Sequence, residues 1–138
     1  MRKLFWVAAV LVCIATPAAS QTDIPNLVGT WKGTSESVVI GGNPHHPGAP
    51  GNEPRFTSVA FTLKIEKQEG RRFYGTFSSE RANEKVIAVI SQDGTIIMVD
   101  DDGYDTGTIF APDRIEICYQ HLSANSRIAS CTEFTKQP

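Results

Sequence analysis

Short segments with the two-residue period of a β-strand follow one another along this chain, evenly spaced and separated by tight-turn signals. In the run 57–67, Val59, Phe61, Leu63 and Ile65 share one face, the alternation of a strand with one buried side. Glu69-Gly70 then turns the chain into 71–79, where Phe73 and Gly75 alternate with Arg72, Tyr74 and Thr76. A more continuous apolar run spans 85–90, and further runs follow at 95–100 and 104–110. Asp93-Gly94 and Asp102-Gly103 lie between them. Asp-Gly suits a type I′ hairpin, which needs positive φ at both central residues. With a first strand from Leu27 to Ile40 and two more after Pro112-Asp113, the count reaches eight.

Sequential strands with such short links are antiparallel neighbours. The expected class is therefore all-β, and the expected architecture a single antiparallel meander barrel of about eight strands, closed so that no edge is exposed. A two-sheet sandwich is the rival arrangement. Apart from a single turn at 79–83, no stretch has a helical period of useful length. Phe61, Phe73, Phe77, Phe110, Tyr119 and Phe134 are expected to supply most of the aromatic core.

The chain begins with an export signal. Arg2 and Lys3 precede an apolar run over 4–14, and Pro17-Ala18-Ala19-Ser20 supplies the small residues of a cleavage site after Ser20. The apolar run is short of the ~20 residues that span a bilayer. Cys13 lies within the segment to be removed, and Val12 stands where a lipid-attachment site wants a small residue. The expected organisation is a signal peptide at 1–20 and one domain at 21–138 with a long 41–55 loop. The mature chain would be periplasmic or secreted, with no membrane attachment. Losing Arg2 and Lys3 takes the formal charge from −2 to about −4, and without a basic stripe nucleic acid is excluded as a partner.

Cys118 and Cys131 remain after cleavage, an even pair in an exported chain. Ile115, Ile117 and Tyr119 alternate with Glu116 and Cys118, and Ile128, Ser130, Thr132 and Phe134 alternate with Ala129, Cys131 and Glu133. Folding the two runs about a loop near 123–126 sets Cys118 opposite Cys131, Ile117 opposite Thr132 and Ile115 opposite Phe134. Opposed cross-strand residues are close enough for a disulfide. The closed loop of about 14 residues corresponds to roughly 3 kcal/mol in the chain-entropy model.

Gly29-Thr30-Trp31, at the start of the first strand, resembles the opening strand of the lipocalins and avidins. The resemblance implies an eight-stranded barrel with a small ligand held at its mouth. It also implies a tryptophan closing one end against a cation from a late strand, for which Arg127 or Arg114 is available. Avidin-like biotin pockets use several tryptophans, whereas Trp31 stands alone in the mature chain. Biotin binding is not carried over.

The longest irregular segment, 41–55, holds His45-His46 among prolines and glycines. Loops of this length in compact domains are functional or disordered, and a mobile lid over a barrel mouth is expected. Adjacent histidines, even with Glu53 or His121, do not define the convergent ligand set that a metal needs. The acidic run 100–105 lacks the spacing of a calcium loop and reads as a solvated hairpin. Arg71, Arg72, Arg81 and Lys85 form the densest cationic group, read as an outer strand face.

No metal or other cofactor is expected, and no catalytic residue is assigned. His121, Glu116 and Tyr119 are the acid–base candidates were the chain a small isomerase or cyclase. The expected function is a binding module for a small, partly apolar ligand at the barrel mouth. Trp31, Phe61, Phe73, Tyr119, Arg127, His45 and His46 would form its site. A protein-interaction or inhibitor module with a filled barrel is the alternative, its partner unspecified.

Overall fold

Nine strands run antiparallel, and the last pairs with the first to close the sheet. The computed structural model describes residues 24–49 and 51–138. The signal segment, its cleavage point and Cys13 lie outside the described residues. The strands are β1 (Gly29–Ile40), β2 (Arg55–Thr57), β3 (Ala60–Glu69), β4 (Arg72–Ser78), β5 (Asn83–Ile90), β6 (Ile96–Val99), β7 (Tyr104–Ala111), β8 (Arg114–Leu122) and β9 (Arg127–Lys136). The barrel proper uses eight of them, because β2 only prolongs the line of β3 along the upper half of β1. The closing register runs from Trp31 opposite Lys136 to Ile40 opposite Arg127. Closure excludes the sandwich, and no helix occurs among the described residues.

The alternation in the sequence becomes an inside and an outside. Leu63, Ile65, Phe73, Val86, Ile90, Ile96, Met98, Ile115, Ile117 and Phe134 point inward with Trp31 and fill the lower and middle barrel. Phe110 does not join them. Asp105, Gly107 and Ile109 take the inward phase of β7, which leaves Phe110 outside beneath the Arg114 guanidinium, 5.3 Å from its ring centre.

The lower end is shut by Trp31 and residues 24–28. A bulge between Ile65 and Lys67 rotates Gln68 toward this segment. Its side chain accepts from Leu27 N–H at 2.7 Å and donates to Pro25 O. The Trp31 indole donates to Leu27 O. The cation over Trp31 is Lys136, 5.4 Å from the ring centre, and its ammonium also donates to Asn26 O. Neither Arg127 nor Arg114 fills that part. Arg127 lies at the opposite end of β9, and Arg114 is taken by Phe110.

The last hairpin has the register read from the cysteines. Cys118 opposes Cys131, Ile117 opposes Thr132 and Ile115 opposes Phe134. A disulfide joins the cysteines, whose Cα atoms are 4.0 Å apart.

Both Asp-Gly turns differ from the type I′ expectation, since no non-glycine residue among those described has positive φ. Gly94 alone takes φ +90°, in a turn where its N–H donates to Ser91 O. Gly103 serves a different need. A Cβ there would sit 2.1 Å from the Tyr119 ring, so its missing side chain is the space that Tyr119 occupies.

Candidate functional site

The upper end is polar where the rest of the interior is dry. Inward positions there carry Ser35 and Ser37 on β1, Glu84 on β5, Asp105 on β7, Tyr119 on β8, and Ser130 and Thr132 on β9. Ser37 Oγ lies 2.7 Å from Ser130 Oγ and donates to Ser35 Oγ. Ser35 Oγ in turn accepts from Val59 N–H.

Residues 41–49 sit over this mouth with the two histidines inside it. His45 is 4% exposed and His46 1%. The Asn43 side chain folds the loop by accepting from both His45 N–H and His46 N–H, and its amide donates to the Tyr119 hydroxyl. His45 Nδ1 is 2.7 Å from Ser79 Oγ, and His46 Nδ1 is 3.3 Å from Thr57 Oγ1. Arg55 donates to Gly41 O and Pro47 O, and Arg81 to Pro44 O. The His45 ring packs edge-on against Phe61, centres 5.2 Å apart, and Phe77 at 6.1 Å. The lid of the sequence reading is therefore a plug. A cavity of about 20 Å³ remains beneath it, between the histidines, Phe61, Phe77, Asp105 and Tyr119. That is room for a water.

Acidic groups converge under the plug. Glu84 Oε2 lies 3.2 Å from His45 Nε2. The distance is that of an ion pair, but the alignment is not that of a hydrogen bond, and both atoms lack any other partner among the described residues. Asp105 Oδ2 is equally buried and unpartnered. Oxygens of Glu84, Asp100 and Asp102 all come within 4.8 Å of one another. Asp100 accepts from Asp102 N–H and Gly103 N–H. Tyr119 donates to Asp102 Oδ1 at 2.5 Å, and His121 Nδ1 approaches the Asp102 backbone oxygen at 2.7 Å.

Burial governs the titration of these groups. It pushes Asp105 up to about 8, helped by the charges of Asp100, Glu84 and Asp102. It pushes Glu84 up to about 7, helped by Asp102 and Asp100. It lowers His45 against the pull of the same aspartates, and lowers His46 together with the neighbouring His45 and Arg55. Burial also raises Tyr119, whose proton is further held by Asp102. Near neutral pH the mouth is thus a proton-holding cluster, and Glu84 exchanges its proton in that range.

Of the residues expected to form the site, His45, His46, Phe61 and Tyr119 meet at the mouth. Phe73 opposes Ala88 in the lower core, Trp31 closes the far end, and Arg127 is exposed on the outer face. Glu116 faces outward opposite Glu133, away from the cluster. The acidic hairpin is not simply solvated, since Asp105 is 3% exposed and Asp100 and Asp102 are half-buried. The cationic group also dissolves. Arg71 and Arg72 stand at the bottom of β4, while Arg81 is in the upper turn before β5. Glu84 was missed, and Asp105 was read only as part of a solvated hairpin. The available signal was phase: each occupies the inward position of its strand, in step with Val86 and Ile90 or with Gly107 and Ile109.

No protein-family model matches the chain, and no curated protein matches it. A solved structure that does match is the S-type phycobiliprotein lyase CPES from Guillardia theta, at 15% identity over 81% of this chain and 89% of that one, with a TM-score of 0.36. Likeness at that level does not transfer the chemistry of one chain to the other.

Proposed function

We propose that this chain is an exported binding module whose barrel mouth receives a small molecule when the 41–54 loop lifts. The observation that carries this is how the plug is attached. Hydrogen bonds from Asn43, His45, His46, Arg55 and Arg81 hold it, and its aromatic contacts with the core are those of His45 with Phe61 and Phe77 and of His46 with Phe61. Segments with few buried apolar contacts open at low free-energy cost. Withdrawing the two imidazoles would leave a recess with Phe61, Phe77 and Ile117 on its walls and Glu84, Asp105, Asp100 and Tyr119 at its polar side. The matching ligand is small and partly apolar, with a cationic or hydrogen-donating group. In the closed form the mouth is too small for it. The oxidised cysteine pair supports export, because such pairs persist in oxidising compartments.

Native mass spectrometry on mature protein from its own secreted or envelope fraction tests the reading. An excess mass lost on denaturation is expected, and a variant with residues 44–48 replaced by glycines should exchange it faster. A clean apo mass in both proteins would sink the reading. Sequencing the mature N-terminus should give Gln21.

A protein-interaction or inhibitor module has its own observation. Exposed Tyr74, Ile87, Val89 and Ile97 line a groove of about 590 Å³ on the outer face of β4–β6. Ile87→Asp should abolish complex formation under this reading and leave the mass-spectrometric result unchanged.

A further inference from the structure

We propose that the barrel mouth holds one first-row divalent cation, with Glu84, Asp100 and Asp102 as carboxylate ligands and His45 Nε2 as the imidazole ligand. Converging carboxylates alone do not make a site. The independent feature is His45, a residue from a different segment, buried, with Nε2 facing the Glu84 end of the cluster and in no hydrogen bond. Its 3.2 Å separation from Glu84 Oε2, without hydrogen-bond alignment, has the geometry of two neighbouring ligands. Metal–nitrogen and metal–oxygen bonds of about 2.1 Å place adjacent ligand atoms ~2.9–3.4 Å apart. The 4.8 Å limit on the three carboxylates lets them close on one ion with small side-chain movements.

The surroundings are those of a supported site. Ser79 Oγ, which accepts from Arg81 N–H and Ala82 N–H, lies 2.7 Å from His45 Nδ1 and fixes the ring so that Nε2 faces Glu84. Tyr119 and His121 hold Asp102, and two backbone N–H groups hold Asp100. One imidazole with three carboxylates suits manganese, iron(II) or zinc, whereas calcium takes oxygen ligands. A dication also offsets two of the negative charges crowded there. Because one ligand belongs to the 41–54 loop and the others to β5 and the β6–β7 turn, the ion would pin the plug shut. It binds the closed mouth, whereas the organic ligand needs the open one, so the two readings fail separately.

The test uses mature protein stripped with EDTA and titrated with Mn²⁺, Zn²⁺ and Ca²⁺ by calorimetry, with no organic ligand present. One Mn²⁺ or Zn²⁺ per chain is expected, with a rise in Tm and Ca²⁺ weaker by ~10-fold or more. Glu84→Gln and His45→Gln should each weaken binding by ~10-fold or more, while Glu116→Gln on the outer face should not. In the unaltered protein, Mn²⁺ should broaden the ring signals at the mouth, those of His45, His46 and Tyr119, and spare Trp31 at the far end, which needs no variant to fold. No binding at ~1 mM ion, affinity untouched by both mouth substitutions, or Ca²⁺ binding as tightly as Zn²⁺ would overturn the proposal.

Discussion

Asp105→Asn should change how the stability of the metal-free barrel depends on pH. The carboxyl lies inside β7 with Oδ2 unpartnered, and burial with three neighbouring acids moves its pKa from 3.8 to about 8. In the unfolded chain it loses its proton near ~3.9, whereas the folded chain keeps it until about 8. Between those values the folded state binds more protons, so stability falls as pH rises. It is highest below the unfolded pKa and levels off above the folded one. The slope is about 1.4 kcal/mol per pH unit for one proton, so the loss from pH 5 to pH 8 is about 4 kcal/mol. Asparagine has the shape of the protonated acid and does not titrate. At pH 5 the variant should match the parent or lose up to ~1–3 kcal/mol for its unpartnered amide. Relative to the parent it should then gain about 4 kcal/mol by pH 8. Glu84 contributes its own fall between its ordinary 4.5 and about 7 in both proteins, and its charge is one of the causes that hold the Asp105 proton. Urea unfolding in EDTA, followed by Trp31 fluorescence, measures both curves. Parallel curves, differing by the same amount at pH 5 and pH 8, would refute the assignment of Asp105 as a buried proton carrier.

Three further outcomes follow from the packing. Replacing Cys118 and Cys131 by serine should cost about 3 kcal/mol, lowering Tm by roughly 12 °C for a domain of this size. Thiol labelling of the denatured, unreduced mature protein should find no free cysteine. Gly103→Ala puts a Cβ 2.1 Å from the Tyr119 ring. It should cost ~1–3 kcal/mol by overpacking, and unchanged urea unfolding would show that the ring has room to move. Lys136→Met removes the cation over Trp31 and the bond to Asn26 O. A loss of about 1 kcal/mol with a red shift of Trp31 emission is expected, and an unshifted spectrum would count against a closing role for Lys136.

The strands were legible because their signal is local. Val59 to Ile65 alternate within one segment, and the cysteine hairpin needs only a short loop to set its register. Turn type was less legible. Asp93-Gly94 and Asp102-Gly103 look alike in the sequence, yet Gly94 is there for its φ and Gly103 for the ring of Tyr119. Phe110 shows the same limit, since its neighbours could be phased only by what the rest of β7 buries.

Strand period and the spacing of turns are carried by neighbouring residues, so the sequence alone determined an all-β meander and the pairing of its cysteines. The mouth was decided by closure. Bringing β9 back to β1 enclosed Glu84, Asp105 and Tyr119, which are far apart in the chain, and the 41–54 loop then placed His45 and His46 among them. Which late cation covers Trp31 depended equally on register, because Lys136 opposes Trp31 while Arg127 opposes Ile40. Distance in space between residues distant in sequence is set by barrel closure and register, and no local pattern encodes it.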